Sequence, residues 1–453
     1  MGNQMKKITW RKMFLLVVFV FVLLPMTGAE AAEEYKGVLT GIDQDNGRLT
    51  EIFKKIHSDP ELSFEEIETG KLVKLEMEKL GYKIITPIGK TGIVAIMENG
   101  VGPVVMYRAD MDALAVKEIT GLDYASTKTV QLDSGSEVPV MHACGHDAHV
   151  TWMLGTAKAM AENKDLWSGT LVFVGQPAEE VGLGAHAMIA DQMYQKGVPV
   201  PDYLYALHTA PLPVNTFVAE DGLRMAGTDQ IDITFNGVGG HGSSPHLAKD
   251  PIVMATTAVN SYQMIVSRGI DPQNAAVLTV GSIQAGNENN VIPASALLKV
   301  NLRWFNEKDR ELMINGMQRI NDGIAYSYGL NKELYPTLQK KGWAAPVNND
   351  YELTHIVDVG IQKYLSEAKS LKGLPAALGS EDFHHLVLDN PHYAYTLLLV
   401  GVADPEIFAT AQKNGQSFPY FLHNGNFKVD LKAITYGTKI GTVGLLEIFN
   451  SQK

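Results

Sequence analysis

Three short apolar runs that end directly in polar residues constrain the fold of this chain more than any other feature. The runs are residues 104–107, 171–175 and 203–207, and patterns typical of helices separate them. That alternation predicts an α/β fold with a catalytic domain built on a mostly parallel sheet flanked by helices. Since ligands of open α/β sheets gather at the carboxyl ends of the strands, we expect the polar side chains after these runs to converge on one site.

Two adjacent carboxylates, Glu179 and Glu180, follow the second run. Neighbouring side chains of extended backbone point to opposite sides, so one carboxylate could bind a metal ion while the other takes a proton from water. The alternative is that both glutamates lie in a solvent-exposed loop and have no functional role. His208 follows the third run and His423 lies in another nearly apolar setting; each taken alone is more typical of a core histidine than of a ligand.

A segment of different character interrupts this pattern. Residues 227–335 read as strands and helices of a compact α+β domain, with strands at 230–235, 276–283 and 296–304 and helices at 250–267 and 307–328. We therefore predict an inserted smaller domain at 227–335, with the first domain divided into residues 32–226 and 336–453.

Residues 1–31 have the composition of a signal peptide. Lysines and an arginine precede an apolar run at 13–24, and Ala29, Glu30 and Ala31 resemble a cleavage site. That run is too short for an ordinary membrane span, so we expect export to the periplasm or the extracellular space, with no stable membrane span after processing. An uncleaved anchor is the alternative. The net charge of −12 argues against nucleic acid as a partner.

The single cysteine, Cys144, lies in the densest group of donor side chains, residues 141–149. Gly145 alone separates Cys144 from His146, so both side chains could converge on one ion such as zinc, manganese, cobalt or nickel. One alternative is a plain helix start before a helix at 148–161, with Asp147 as its cap and the histidines satisfied by hydrogen bonds. A second alternative is a Cys144 nucleophile with His146 as its base.

Seven segments carry a resemblance to a known family. They are residues 57–65, 107–114, 141–149, 175–180, 239–246, 290–293 and 379–383. In this order they resemble the M20 metallopeptidases, specifically the amidohydrolase subgroup that includes hippurate hydrolases, N-acyl-amino-acid amidohydrolases and auxin-conjugate hydrolases of plants. Ala115, residues 181–184 and Gly425 depart from the usual patterns of the subgroup, and none of these departures removes a candidate ligand. Related families have a histidine where Arg108 stands here.

The resemblance implies a role for each matching residue. Glu179 matches the general base and Asp110 an acidic residue that orients a ligand. The implied ligands of two divalent metal ions are Cys144, His146, Glu180, His208 and His423.

The inserted segment resembles the lid and dimerisation domain of the family. His241 matches a histidine that reaches the active site of a partner subunit and stabilises the oxyanion, which implies a homodimer. Asn290 and Arg303 match positions that contact the carboxylate of the substrate.

The predicted function is hydrolysis of the amide bond of an N-acyl amino acid or a dipeptide-like small molecule that bears a carboxylate. Two alternatives remain at this point. One is an exported protein of the same fold that binds a metal or a carboxylate without catalysis, and the other is the thiol hydrolase that uses Cys144.

Overall fold

The structure is a computed structural model that describes residues 28–132, 135–387 and 393–451. Most of the predicted signal peptide, residues 1–27, lies outside the described residues. A helix begins at Gly28 and runs through the predicted cleavage site. Within the three described ranges, no helix combines the length and the apolar character that crossing a membrane requires.

Ten α-helices and eighteen β-strands form the described part of the chain. The helices are α1 Gly28–Gln44, α2 Asn46–Ser58, α3 Ile67–Lys79, α4 His146–Glu162, α5 Gly184–Ala190, α6 Pro251–Met264, α7 Glu307–Ser327, α8 Tyr351–Tyr364, α9 Pro405–Lys413 and α10 Lys432–Asn450. The strands are β1 Lys83–Ile88, β2 Gly92–Asn99, β3 Val104–Asp110, β4 Thr129–Gln131, β5 Glu137–Pro139, β6 Gly169–Gln176, β7 Tyr203–Pro213, β8 Thr216–Val218, β9 Gly222–Met225, β10 Gly227–Asn236, β11 Gly240–His241, β12 Val277–Gln284, β13 Val291–Ile292, β14 Ser295–Trp304, β15 Thr337–Ala344, β16 Val347–Asn349, β17 Lys369–Ser370 and β18 Ala394–Ala403.

The large sheet confirms the predicted α/β class. Its strand order is β1-β2-β6-β3-β7-β18-β8-β17. The neighbouring strands β6, β3, β7 and β18 are parallel, whereas β1 and β2 are antiparallel additions at one edge. All three apolar runs lie in this parallel centre, where burial on both faces accounts for their continuous apolar character.

Close packing of α10 against α4 fixes the helix that begins at His146, two residues after Cys144. Trp152 of α4 is fully buried, and its indole nitrogen donates a hydrogen bond to the carbonyl of Ala433 at 2.9 Å. A Cβ atom at Gly437 would lie 2.2 Å from the ring of Trp152, so only glycine permits this approach. The N-terminus of α4 is thereby held against the carboxyl edge of the sheet.

A second sheet of four strands, in the order β12-β14-β10-β15, forms the core of the region predicted as an inserted domain. Helices α6 and α7 pack on it around Phe235, Tyr262 and Trp304. Strand β15 lies beyond the predicted boundary at residue 335. The sequence of β15 is mostly polar, with Lys340 and Lys341 at its centre, and so carries little of the apolar pattern by which a strand is recognised.

Candidate metal centre

The structure brings the five predicted metal ligands together at the carboxyl edge of the parallel strands. Cys144 and His146 lie at the start of α4, Glu180 follows β6, His208 lies in β7 and His423 precedes α10. Four of these side chains line a cleft of about 690 Å³ of empty space, including its open mouth, and His146 lies buried beneath it. The cleft separates the large sheet from the four-stranded sheet.

A left-handed glycine makes the convergence of Cys144 and His146 possible. Gly145 has φ +86°, and a Cβ atom there would lie 2.7 Å from a methyl carbon of Thr209. Gly145 itself is the N-cap of α4, so the alternative in which Asp147 caps the helix is wrong. Asp147 lies inside the first turn and accepts a hydrogen bond from His57 at 2.6 Å.

The distances define two sets of donor atoms that share Cys144. The Cys144 sulfur lies 3.6 Å from Nε2 of His208, and a ring nitrogen of His146 completes a set whose ligand atoms all lie within 4.8 Å of one another. Glu180 and His423 form a second set with Cys144 under the same limit, with His423 Nε2 at 3.3 Å from Glu180 Oε2. Two neighbouring sets of donors that share one thiol could hold a pair of ions.

Unpartnered buried atoms show that this set of residues fits divalent cations. Nε2 of His146 and Oε1 of Glu180 are buried, lie 3.8 Å apart and find no hydrogen-bond partner among the described residues. Buried polar atoms without a hydrogen-bond partner lower the stability of the folded protein unless a ligand binds them. The Nδ1 atom of His208 contacts the carbonyl of Thr209 at 2.7 Å and therefore donates, which leaves the Nε2 lone pair free to coordinate a metal.

The electrostatics of the cleft also favour cations. Burial raises the pKa of the Cys144 thiol well above its usual value, and the nearby carboxylates of Glu180 and Glu179 raise it further. Burial raises the pKa of Glu180 to about 8, although His146 opposes the shift. The negative forms of these groups are thus unfavourable here without added positive charge, which a divalent ion would supply.

Glu179 and Glu180 lie in a tight turn, so the expectation of extended backbone was wrong. Ala178 has φ +51°, and the amide of Gly182 donates to the carbonyl of Glu179 at 2.7 Å. Both carboxylates still face His146, because Oε2 of Glu179 lies 3.9 Å from its Nε2. Burial and the neighbouring Glu381 raise the pKa of Glu179.

Asp110 contacts two histidines, His146 and His149, and no separate role was predicted for His149 from the sequence. Nδ1 of His149 donates to Asp110 at 2.6 Å, while Nε2 of His149 accepts from the amide of Thr209 at 2.8 Å. The ring of His149 therefore joins the end of β3 to β7. Asp110 also lies 3.6 Å from Nε2 of His146, consistent with an orienting role. His149 was visible in the sequence as part of the donor-rich segment, but no pattern separated it from the ligands.

Sequence reasoning also missed the ion-pair network around Arg108. This guanidinium is fully buried and donates to both oxygens of Glu381, at 2.8 and 3.0 Å, and to Asp110 at 2.7 Å. Gln176 and Asp382 complete the network. The sequence signal for this network was the family-like segment at residues 379–383, which contains Glu381 and Asp382 and for which no role was predicted from the sequence.

Of the three residues predicted in the inserted region, one lines the cleft within this chain. Arg303 projects from β14, and its Nη1 donates to the hydroxyl of Ser380 at 2.6 Å. His241 and Asn290 are exposed and do not line the described cleft. Their implied roles at a partner subunit and at the substrate stay predictions.

Comparison with known proteins agrees with this geometry. The sequence profile of peptidase family M20/M25/M40 matches residues 106–414. A hippurate hydrolase of Campylobacter jejuni is 37% identical over 341 residues, which cover 74% of this chain and 84% of that protein. An N-acetyldiaminopimelate deacetylase of Streptococcus uberis is 36% identical, covering 75% of this chain and 87% of its own length. A solved dinuclear metal-binding peptidase of Bacillus subtilis has a TM-score of 0.68 and 25% identity, covering 90% of this chain and 99% of its own.

Removing the buried guanidinium should destabilise the protein strongly. We expect Arg108→Met to lower the free energy of unfolding by about 3–5 kcal/mol, because the buried carboxylates of Glu381 and Asp110 would lose their cation. Arg108→Lys should recover little, since an ammonium cannot reproduce the planar fork. Urea unfolding followed by circular dichroism measures both effects.

Arg48 provides the matched control, since it pairs with Asp45 and Glu76 in a partly exposed setting. Arg48→Met should lower the free energy of unfolding by about 1 kcal/mol or less. Equal losses for Arg108→Met and Arg48→Met would contradict a structural role for the buried network.

Proposed function

This chain belongs to peptidase family M20/M25/M40, hydrolases of amide bonds, and we propose that it cleaves the amide bond of N-acyl amino acids or similar small carboxylate-bearing amides. One observation carries the proposal. Unpartnered Nε2 of His146 and Oε1 of Glu180 face each other beneath the cleft, and Oε2 of Glu179 lies 3.9 Å from the same nitrogen. A metal-binding position and a free carboxylate thus adjoin each other.

The five converging side chains would hold two divalent ions of zinc, manganese, cobalt or nickel. Cys144, with its position in both donor sets, would serve both ions. When bound, such ions polarise a substrate carbonyl and lower the pKa of water, which is the chemistry that amide hydrolysis needs. Residues of the chain itself would transfer the proton and bind the substrate.

Glu179 is the general base in this proposal. Its side chain reaches the cleft, and burial together with Glu381 raises its pKa, so the carboxylate holds a proton more readily than an exposed glutamate does. Oε2 of Glu179 takes a proton from the attacking water. The same atom then gives that proton to the leaving nitrogen.

Arg303 on the opposite wall would bind the carboxylate of the substrate. Neutral polar side chains of Thr228 and Gln230 flank it in the cleft. Arg303 donates to Asn301 and Ser380, and its planar guanidinium suits a carboxylate in the remaining directions. The names of two relatives support this substrate class, because hippurate and N-acetyldiaminopimelate are both N-acyl amino acids.

The two alternative functions receive less support. Burial raises the pKa of Cys144, which is the opposite of what an activated thiol nucleophile requires. Nε2 of His146, its supposed base, faces the carboxylates of Asp110, Glu179 and Glu180. A non-catalytic binding protein would not need the free carboxylate of Glu179 beside the metal position.

Glu179 and Glu180 should respond differently to the same substitution. We expect Glu179→Gln to retain two metal ions per chain but to lose about 10²- to 10⁴-fold in kcat, because the proton acceptor is absent. Glu180→Gln should instead lose metal, because the carboxylate ligand is replaced by a neutral amide. The measurements are metal content by elemental analysis and hydrolysis of a panel of N-acetyl, N-benzoyl and dipeptide substrates.

Chelation is the control for the same experiment. Activity of the unsubstituted protein should disappear on dialysis against a chelator and return with manganese, zinc or cobalt. Chelator-resistant activity, or a Glu179→Gln variant with full activity, would contradict the proposed function.

Arg303 should govern recognition of the substrate carboxylate. We expect Arg303→Ala to lower kcat/KM for an N-acyl amino acid by about 10- to 150-fold, which corresponds to a charge-assisted hydrogen bond of about 1.5–3 kcal/mol. The matched carboxamide of the same substrate should lose much less. Equal losses for the acid and the carboxamide would show that Arg303 does not read the carboxylate.

We also propose export, on the composition of residues 1–31. Expression of the full chain in a bacterial host, followed by N-terminal sequencing, should give a protein outside the cytoplasm that begins near Ala32. A cytoplasmic product with an intact N-terminus would contradict this proposal.

A further inference from the structure

The segment at residues 61–66, which we call the anchoring segment, does not line the described cleft. It overlaps the family-like motif at residues 57–65, to which neither the metal nor the substrate gives a role. Its last residue, Glu66, is nonetheless fully buried. A buried carboxylate outside a site calls for an explanation, because burial of the charged form is unfavourable unless donors compensate for it.

Those donors come from the backbone of the catalytic turn. Oε1 of Glu66 accepts hydrogen bonds from the amide of Ala178 at 2.8 Å and from the amide of Phe64 at 2.9 Å. Its other oxygen accepts from the hydroxyl of Thr91. Ala178 directly precedes Glu179, so a residue 112 positions away in sequence holds the turn that carries the general base.

Both amides belong to residues with left-handed backbone. Ala178 has φ +51° and Phe64 has φ +67°, a conformation that is unfavourable for residues with a side chain. Such residues persist only where the surrounding structure holds them. The single carboxylate oxygen that receives both amides therefore stabilises two left-handed backbone positions at once.

A second carboxylate completes the attachment. Asp112 accepts from the amides of Glu179 and Glu180, each at 3.1 Å. The anchoring segment holds Asp112 in turn, because the hydroxyl of Ser63 donates to it at 2.6 Å. Three consecutive amides, those of residues 178–180, are thus received by two buried carboxylates that the anchoring segment supplies or orients.

We propose that Glu66 is a positioning residue that fixes the orientation of Glu179 by anchoring the amide of Ala178. The proposal rests on the proposed role of Glu179 as general base. Without this anchor, the backbone of Ala178 relaxes toward an ordinary conformation and the carboxylate of Glu179 moves away from its working position. Misplacement of a catalytic group lowers the rate of the chemical step more than it lowers the affinity for substrate.

Three variants test this role in the full, metal-loaded protein. Glu66→Ala should lower kcat by about 10- to 100-fold, with KM and metal content close to those of the unsubstituted protein. Glu66→Gln should restore most of kcat, because its amide oxygen still accepts from Ala178 and its amide nitrogen can donate to the hydroxyl of Thr91. Glu65→Ala is the matched control: Glu65 is exposed in the same segment and should keep full activity.

Hydrogen exchange supplies a readout that needs neither substrate nor activity. In Glu66→Ala, the peptide that covers residues 177–183 should exchange its amide hydrogens faster than in the unsubstituted protein, whereas Glu65→Ala should show no change there. If Glu66→Ala does not fold, Ser63→Ala tests the second attachment, and it should speed exchange in the same peptide and lower kcat at constant KM.

The outcomes separate this proposal from the proposed function. Unchanged exchange at 177–183 in both Glu66→Ala and Ser63→Ala would overturn the anchoring role whether or not the protein is an amidohydrolase. Loss of kcat only in proportion to loss of metal or of folded protein would also overturn it, as would a Glu66→Gln variant no better than Glu66→Ala. Absence of metal-dependent amide hydrolysis in the unsubstituted protein would instead overturn the proposed function. The hydrogen-exchange result alone would then decide whether Glu66 anchors the amide of Ala178.

Discussion

Burial of several carboxylates at one edge of the parallel sheet is the constraint on which the rest of the structure depends. Asp110, Asp112, Glu66 and Glu381 are almost completely buried, and an unpaired buried charge is very unfavourable. Three kinds of donor compensate for these four carboxylates. Arg108 pairs with Glu381, His149 donates to Asp110, and backbone amides donate to Asp112 and Glu66.

This distribution of hydrogen-bond partners leaves two carboxylates, Glu179 and Glu180, without such compensation. Glu179 and Glu180 donate their own amides to Asp112, but in the described residues their side chains receive no backbone amide and no guanidinium. Burial raises the pKa of both groups, but it also raises the pKa of Glu66 to about 7, so the absence of these donors, and not the pKa, distinguishes Glu179 and Glu180. The compensated carboxylates build a rigid frame, and the uncompensated pair presents oxygen atoms that a cation or a proton can occupy.

The sequence predicted the parts of this arrangement that depend on strand ends. Residues after β3 and β6 had to meet at one edge once the strands were parallel, and Cys144 and His146 could converge because Gly145, which permits left-handed backbone, is the one residue between them. The conformation of Ala178 was not predictable, because alanine gives no signal of left-handed backbone and its cause, Glu66, is distant in sequence. The partners of Arg108 were missed for the same reason, since Glu381 lies 273 positions away.

The opposite wall of the cleft would allow a chain with such an acidic centre to bind the anionic substrate that we propose for it. Burial lowers the pKa of Arg303, although Glu179 opposes the shift. An arginine nevertheless stays protonated in proteins, so its partly buried guanidinium gives that wall a positive charge. It projects from β14 of the four-stranded sheet, whereas the acidic groups belong to the large sheet. A substrate whose carboxylate binds Arg303 must therefore span the cleft to place its amide near Glu179.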